Sequence, residues 1–142
     1  MFHELVPHVQ PWPEGIRRAP LDVLLAEADF VSIHVTLSAE TRGLLSAREI
    51  GLMKPGSILV NTSRGEIVDE VALLEALRTG QLRGAGLDVL TGEPEIAKHP
   101  LVEHARRDPN LIITPHIGGF SPDAVRQVLT FSCERIRSFF GV

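Results

Sequence analysis

The chain has 142 residues, 44% hydrophobic and 23% charged, and this balance indicates one folded globular domain rather than a disordered segment. A net charge of -4 gives no basic surface for nucleic acid, and the apolar runs are too short to span a membrane. The single cysteine, Cys133, excludes an internal disulfide, and no signal-peptide pattern is present, so we expect a cytoplasmic protein.

The N-terminal part is predicted to contain an irregular arm, a helix and a strand. Residues 1–19 are rich in proline and show no hydrophobic period, so we expect a loop or a packed arm, with Trp12 against the rest of the chain. Apolar residues at helical spacing predict a helix over 21–27. The apolar, β-branched run at 30–35 predicts the first strand.

A second helix and strand follow a polar connection. Ser46 and Glu49 form a capping box, which predicts a helix start, and Pro55 with Gly56 ends that helix. The short apolar run that follows predicts a strand at 57–62 that is buried on both faces.

The next elements repeat this alternation. Asp69 is the predicted N-cap of a third helix, which ends at Gly80, and a strand is predicted at 84–89. A polar loop at 90–110 follows, and loops of that length in a compact domain tend to be functional. The last strand is predicted at 111–115.

The final predicted helix begins at Ser121, a hydroxyl N-cap, with Pro122 at the first helical position. Its apolar residues keep a helical period to the C-terminus, and Cys133 on that side is expected in the core. The alternation of strands and helices predicts an α/β fold with a parallel sheet and helices on both faces.

Three side chains of complementary chemistry follow predicted strands. Arg64, Glu93 and His116 would meet at the carboxyl edge of the sheet, where open α/β sheets bind ligands. Arginine binds a carboxylate with two parallel hydrogen bonds, and histidine transfers protons near neutral pH. A neighbouring glutamate would fix the orientation of the imidazole, and the glycines at 118–119 would leave room for a flat ring.

Each of these residues also has a purely structural interpretation. Arg64 could be a solvated turn residue, Glu93 a surface-loop residue and His116 a structural histidine, whereas Asp88 in an apolar strand requires donors. Their occurrence at successive strand ends favours a site. Ser63 lacks a nucleophile elbow. No metal site is predicted, because the other histidines are not grouped at zinc-binding spacings: His3, His8, His34, His99 and His104.

Four motifs give the chain a resemblance to a known family. The motifs are HVTLSAETRGLL at 34–45, MKPGSILVNTSRGEIVDE at 53–70, GAGLDV at 84–89 followed by Glu93-Pro94, and TPHIGG at 114–119. In this order and spacing they resemble the D-isomer-specific 2-hydroxyacid dehydrogenases, which include phosphoglycerate, glyoxylate/hydroxypyruvate and D-lactate enzymes. The resemblance extends over about residues 20–140 and implies a partial Rossmann-like, doubly wound parallel sheet.

The resemblance also implies a reaction, a hydride transfer between NAD(P)H and a small 2-oxo or 2-hydroxy acid. Arg64 matches the family arginine that holds the substrate carboxylate and polarises its carbonyl group. His116 matches the acid/base that protonates the carbonyl oxygen during reduction. Glu93 matches the partner that orients this histidine.

Five further positions match family residues that line the cofactor. Asp88 matches the aspartate near the nicotinamide carboxamide, and Thr36, Thr62, Ser63 and Gly118 match other lining positions. The family usually has proline at the position of Thr36. NAD is favoured over NADP, and no metal is implied.

The chain departs from the family at its front. No G-x-G-x-x-G turn is present to bind the pyrophosphate, so we expect binding by this chain alone to be weak. By this interpretation residues 1–19 are an arm, residues 20–142 are the C-terminal part of an NAD(P)-binding domain, and Glu4 is a candidate remnant of the ribose site. The alternative is a non-catalytic, truncated module that folds and self-associates but binds cofactor weakly, and homo-oligomers are expected in either case.

Overall fold

The computed structural model describes Met1, His3 and residues 14–141. The predictions for Trp12, Glu4 and most of the arm at 1–19 lie outside these residues. In the described part of the chain, no helix is both long and apolar enough to cross a membrane. The helices and strands in chain order are α1 Leu21–Glu27, β1 Phe30–Ile33, α2 Ala47–Leu52, β2 Ser57–Asn61, a 3₁₀ turn Gly65–Ile67, α3 Glu70–Thr79, β3 Leu82–Leu87, α4 Pro100–Ala105, β4 Leu111–Ile113 and α5 Pro122–Phe140.

The described strands form one parallel sheet in the order β1-β2-β3-β4. The register aligns one buried row of side chains across the sheet, made by Val31, Leu59, Ala85 and Leu111. The predicted α/β class with a Rossmann-like parallel sheet is therefore confirmed.

Helix boundaries follow the capping residues that the sequence predicts. The Ser46 and Glu49 side chains form the capping box of α2. The Asp69 carboxylate accepts hydrogen bonds from two backbone amides of the first turn of α3, and Gly80 ends that helix in the left-handed conformation at φ 76°. Ser121 caps α5 through the amide of Ala124, so all three predicted caps are confirmed.

The sequence led us to expect helices on both faces of the sheet, but the described helices α1 to α4 pack on one face only. Side chains of α1 to α4 and of one face of the strands form a single hydrophobic core. On the opposite face, Phe30 in β1 is 71% exposed and Ile112 in β4 is 66% exposed. Because successive strands are neighbours in one direction, right-handed crossovers place all their helices on the same side.

Two predictions about the second half also need correction. The loop at 90–110 contains α4, whose Leu101 is fully buried and anchors it to the core. The apolar side of α5 does not face the core, since no residue of α5 is buried, and the prediction that Cys133 is a core residue is wrong because it is exposed. A helical period identifies an apolar side but not what covers it.

Candidate active site

The turn after β2 presents Arg64 at the carboxyl edge of the sheet. Asn61 is buried and closes the turn, because its amide oxygen accepts from the Ser63 backbone at 3.0 Å and its amide nitrogen donates to the Arg64 carbonyl at 2.8 Å. The Ser63 hydroxyl donates to the carbonyl of Val35, which follows β1. The Arg64 side chain is exposed and donates to the Ser63 carbonyl at 2.7 Å.

Gly65 brings this turn against the segment that carries Glu93. A Cβ atom on Gly65 would lie 2.2 Å from the Thr91 amide nitrogen and 2.3 Å from the Leu90 carbonyl carbon. No side chain fits there, so the backbone beside Arg64 directly contacts the backbone three residues before Glu93. This contact joins the ends of β2 and β3 into one structure.

Glu93 and His116 form a hydrogen-bonded pair. The His116 Nδ1 atom lies 2.6 Å from Glu93 Oε2, and Glu93 Oε1 accepts from the Leu90 amide at 2.6 Å. An ionised carboxylate only accepts hydrogen bonds, so the ring carries its proton on Nδ1 and leaves Nε2 for another partner. The His116 side chain is 44% exposed, and Glu93 is 26% exposed. The imidazole of His116 is therefore fixed by Glu93 and remains accessible from solvent.

Asp88 holds the turn on which His116 lies. The Asp88 carboxylate accepts from the Thr114 hydroxyl at 2.5 Å, from the Ile117 amide at 3.0 Å and from the Gly118 amide at 2.8 Å. His116 itself has a φ of 54°, in the left-handed region that non-glycine residues rarely adopt. One donor before His116 and two after it thus support an unfavourable backbone conformation.

The same contacts set the charge of Asp88. Burial raises the pKa of this carboxyl group, but hydrogen bonds from Thr114, Gly118 and Ile117, together with the nearby His116, more than offset that effect. The pKa of Asp88 is therefore below its usual range, and the group is ionised at neutral pH.

The other predicted cofactor-lining residues lie at the same edge of the sheet. Thr62 is exposed directly after β2. Thr36 follows β1, where its carbonyl accepts from the Thr41 hydroxyl at 2.7 Å. Thr36 also lines a cleft of 1230 Å³ that runs along β1. The edge therefore carries the three predicted catalytic residues, and the positions predicted to line the cofactor lie beside them.

A second carboxylate–imidazole pair lies beside the first, and the sequence did not suggest it. Glu70 Oε2 is 3.1 Å from His99 Nε2, and Glu70 Oε1 accepts from the Thr91 amide at 2.9 Å. His99 Nδ1 accepts from the Leu101 amide at 3.2 Å and caps α4. The available signal was Pro100 at the start of a helix, which points to a cap at position 99 but not to its partner.

The model of one protein family matches residues 4–118 of the chain. Its description is D-isomer specific 2-hydroxyacid dehydrogenase, NAD binding domain. The match covers most of the 142 residues and includes Arg64, Glu93 and His116. The chain belongs to this family.

Relatives within and around the dehydrogenase family agree with that assignment. The chain is 44% identical over 115 residues to a D-specific alpha-keto acid dehydrogenase from Enterococcus faecalis, covering 75% of this chain and 36% of the relative. It superimposes with a TM-score of 0.81 and 28% identity on a D-isomer specific 2-hydroxyacid dehydrogenase from Lactobacillus delbrueckii in an NAD complexed form, covering 98% of this chain and 45% of that one.

A solved structure of an enzyme with a different named activity is also similar. It is an acyclic imino acid reductase in complex with NADPH and D-Arg, with a TM-score of 0.79 and 30% identity over 95% of this chain and 42% of that one. The chain thus spans less than half the length of each of these dehydrogenase-like proteins.

Proposed function

We propose that the protein acts in a hydride transfer between NAD(P)H and a small 2-oxo or 2-hydroxy acid. The observation that carries this proposal is the Glu93–His116 pair, held at the carboxyl edge beside the turn of Arg64. Family membership supports oxidoreductase chemistry with a nicotinamide cofactor.

Each of the three side chains has a defined task in this reaction. Arg64 binds the substrate carboxylate through its planar guanidinium group and polarises the neighbouring carbonyl. His116 delivers a proton from Nε2 to the carbonyl oxygen during reduction and removes it during oxidation. Glu93 accepts from Nδ1 and fixes the tautomer and the orientation of the ring.

The residues present fit the nicotinamide end of the cofactor. Gly119 has open space where a Cβ would lie, which leaves room for a flat ring, and Asp88, Thr62, Ser63 and Gly118 would hold it at this edge. Thr36 would line the adenine side. When bound, the nicotinamide supplies or accepts the hydride at C2 of the acid. NAD is favoured over NADP in this proposal.

A second candidate is a non-catalytic dehydrogenase-like module that folds, self-associates and binds cofactor weakly. Two observations favour it: the sequence has no G-x-G-x-x-G turn, and apolar side chains such as Phe30 and Ile112 lie exposed on one face of the sheet. Exposed apolar surface of this kind marks an interaction site, and a homodimer would cover it. Both candidates are proposed to be cytoplasmic.

Titration with NADH tests how strongly this chain binds the cofactor. Without a glycine-rich turn to neutralise the pyrophosphate, we expect the chain to bind NADH much more weakly than the micromolar range. The measurement follows NADH fluorescence as protein is added. Micromolar affinity would contradict the weak-binding prediction and favour a complete cofactor site.

The roles at the edge are tested with short 2-oxo acids and NADH in any preparation that shows turnover. His116→Ala should abolish turnover, whereas Arg64→Ala should mainly raise the KM for the acid. His104→Gln and Arg83→Ala are matched controls, since neither residue lies at the carboxyl edge. Wild-type turnover by the His116 variant would exclude the proton-transfer role.

A further inference from the structure

We propose that Glu70 and His99 are positioning residues that keep Glu93 within reach of His116. The proposal deepens the function proposed above, because it concerns the same acid/base pair. Among the hydrogen bonds of the described residues, Glu70 and His99 bond to neither Arg64 nor His116, and the proposal gives this pair a role.

The two carboxylates hold consecutive backbone amides. Glu93 Oε1 accepts from the Leu90 amide at 2.6 Å, and Glu70 Oε1 accepts from the Thr91 amide at 2.9 Å. Gly65 contacts the same peptide unit from the β2 side. The backbone that leads into Glu93 is thus fixed from three directions, and Glu70 is the contribution of helix α3.

His99 fixes Glu70 in turn. Because His99 Nδ1 accepts from the Leu101 amide, the neutral ring carries its proton on Nε2 and donates it to Glu70 Oε2. The side chains are only 16% exposed for His99 and 14% exposed for Glu70, so water competes little with these bonds. Glu70 is also the first residue of α3, where the helix dipole stabilises a negative charge.

A series of hydrogen bonds therefore connects α4 to the Glu93–His116 pair. His99 orients Glu70, Glu70 holds Thr91, and the peptide of Leu90 and Thr91 sets the position of Glu93. Loss of the Glu70 contact frees that peptide, and the bond from His116 Nδ1 to Glu93 loses its fixed geometry. The imidazole proton is then no longer confined to Nδ1.

The experiment reads the proton position on His116 and needs no cofactor and no turnover. The ¹⁵N resonances of the imidazole report the two neutral tautomers, and the amide exchange rate of Thr91 reports its hydrogen bond. Glu70→Gln retains the size of the side chain but has one oxygen for two donors. His99→Asn keeps a good N-cap for α4 and removes only the contact with Glu70.

In the wild type we expect one tautomer, with the proton on Nδ1. Both variants should give a mixture of His116 tautomers. Glu70→Gln should also speed exchange of the Thr91 amide roughly tenfold, because it removes one charge-assisted hydrogen bond. Glu75→Gln, at an exposed position of the same helix, is the control and should change neither. The urea midpoint of each variant shows that it is folded.

A single Nδ1 tautomer in both folded variants would overturn the positioning role and leave the proposed function intact. If Glu70→Gln does not fold, His99→Asn alone decides. A wild-type His116 without the Nδ1 preference would contradict the Glu93–His116 pair itself, and with it the proposed function.

Discussion

The two faces of the sheet differ although they are made by alternate residues of the same strands. Phe30 and Val31 are consecutive in β1, yet Phe30 is 71% exposed and Val31 is 6% exposed. Likewise Leu111 is buried in the core, and the next residue, Ile112, is largely exposed. Phe30 and Ile112 are as apolar as their buried neighbours, so the difference comes from topology: consecutive strands in one direction bring helices to one face.

We therefore expect the covered face to determine the stability of the monomer and the bare face to determine its self-association. The covered face carries the packing of α1 to α4 and should account for most of the free energy of unfolding. The bare face should contribute little to the monomer and more to association. Four changes test this division.

The largest effect is expected at Leu59, which is fully buried in the middle of the covered face. Leu59→Ala should lower the free energy of unfolding by about 3 kcal/mol, through lost burial and the cavity that remains. Ile112→Ala is the matched change on the bare face and should cost less than about 0.5 kcal/mol. Urea unfolding at low protein concentration measures both. Equal costs would mean that the bare face is covered in solution.

A substitution of Asp88 tests how much its hydrogen bonds stabilise the carboxyl edge of the sheet. Asp88→Asn leaves one of its donors facing an amide nitrogen and should cost about 1–3 kcal/mol. Because folding lowers the pKa of Asp88, its stabilising contribution is complete above the unfolded-state pKa of about 4. That contribution is lost as the pH falls through the lower folded-state pKa.

Wild-type stability should thus fall from pH 6 to pH 3, and Asp88→Asn should fall less. Urea midpoints at the two pH values give the comparison. Asp123→Asn, at an exposed position in α5, controls for the loss of one carboxylate and should retain the wild-type slope.

Asp69 tests the attachment of a covering helix. Asp69→Ala removes both side-chain bonds to the first turn of α3 and should cost about 1 kcal/mol. Asp69→Ser should recover most of that loss, since serine also caps well. Thermal or urea unfolding distinguishes the two variants, and no difference between them would mean that the cap contributes nothing measurable.

The smallest effect on the monomer is expected at Phe30. Phe30→Ser should change the free energy of unfolding by less than about 0.5 kcal/mol, because the ring is already exposed. It should weaken self-association, which light scattering over a range of concentrations measures. Unchanged association would show that the proposed contact between copies does not use this face.

Local signals made much of the fold predictable. The Ser46 capping box, the Asp69 cap and the Ser121-Pro122 start each involve neighbours within four residues, so their geometry is encoded locally. The parallel sheet followed from the alternation of elements. The uncovered face could not be read in this way, because strand burial was inferred from apolar character alone, and apolar character does not show that a covering layer is present.

The arrangement of the candidate site was predictable only where a residue follows a predicted strand. Arg64, Glu93 and His116 were predicted to share the carboxyl edge, and they lie in the segments that follow β2, β3 and β4. The bonds of Asp88 to the His116 turn span about 30 residues and had no local signature. The same is true of Glu70 and His99, which lie 29 positions apart.

The regular succession of strands has a consequence for how the chain is made. Phe30 pairs with Ile58, Ile58 with Gly84, and Ala85 with Leu111, so each pairing closes a stretch of nearly equal length. Each described strand after β1 therefore pairs with the strand just before it in the chain, and none of these four strands pairs across a longer stretch of sequence. This described part of the sheet can therefore assemble in the order of translation, one crossover at a time, while the ribosome is still extending the chain.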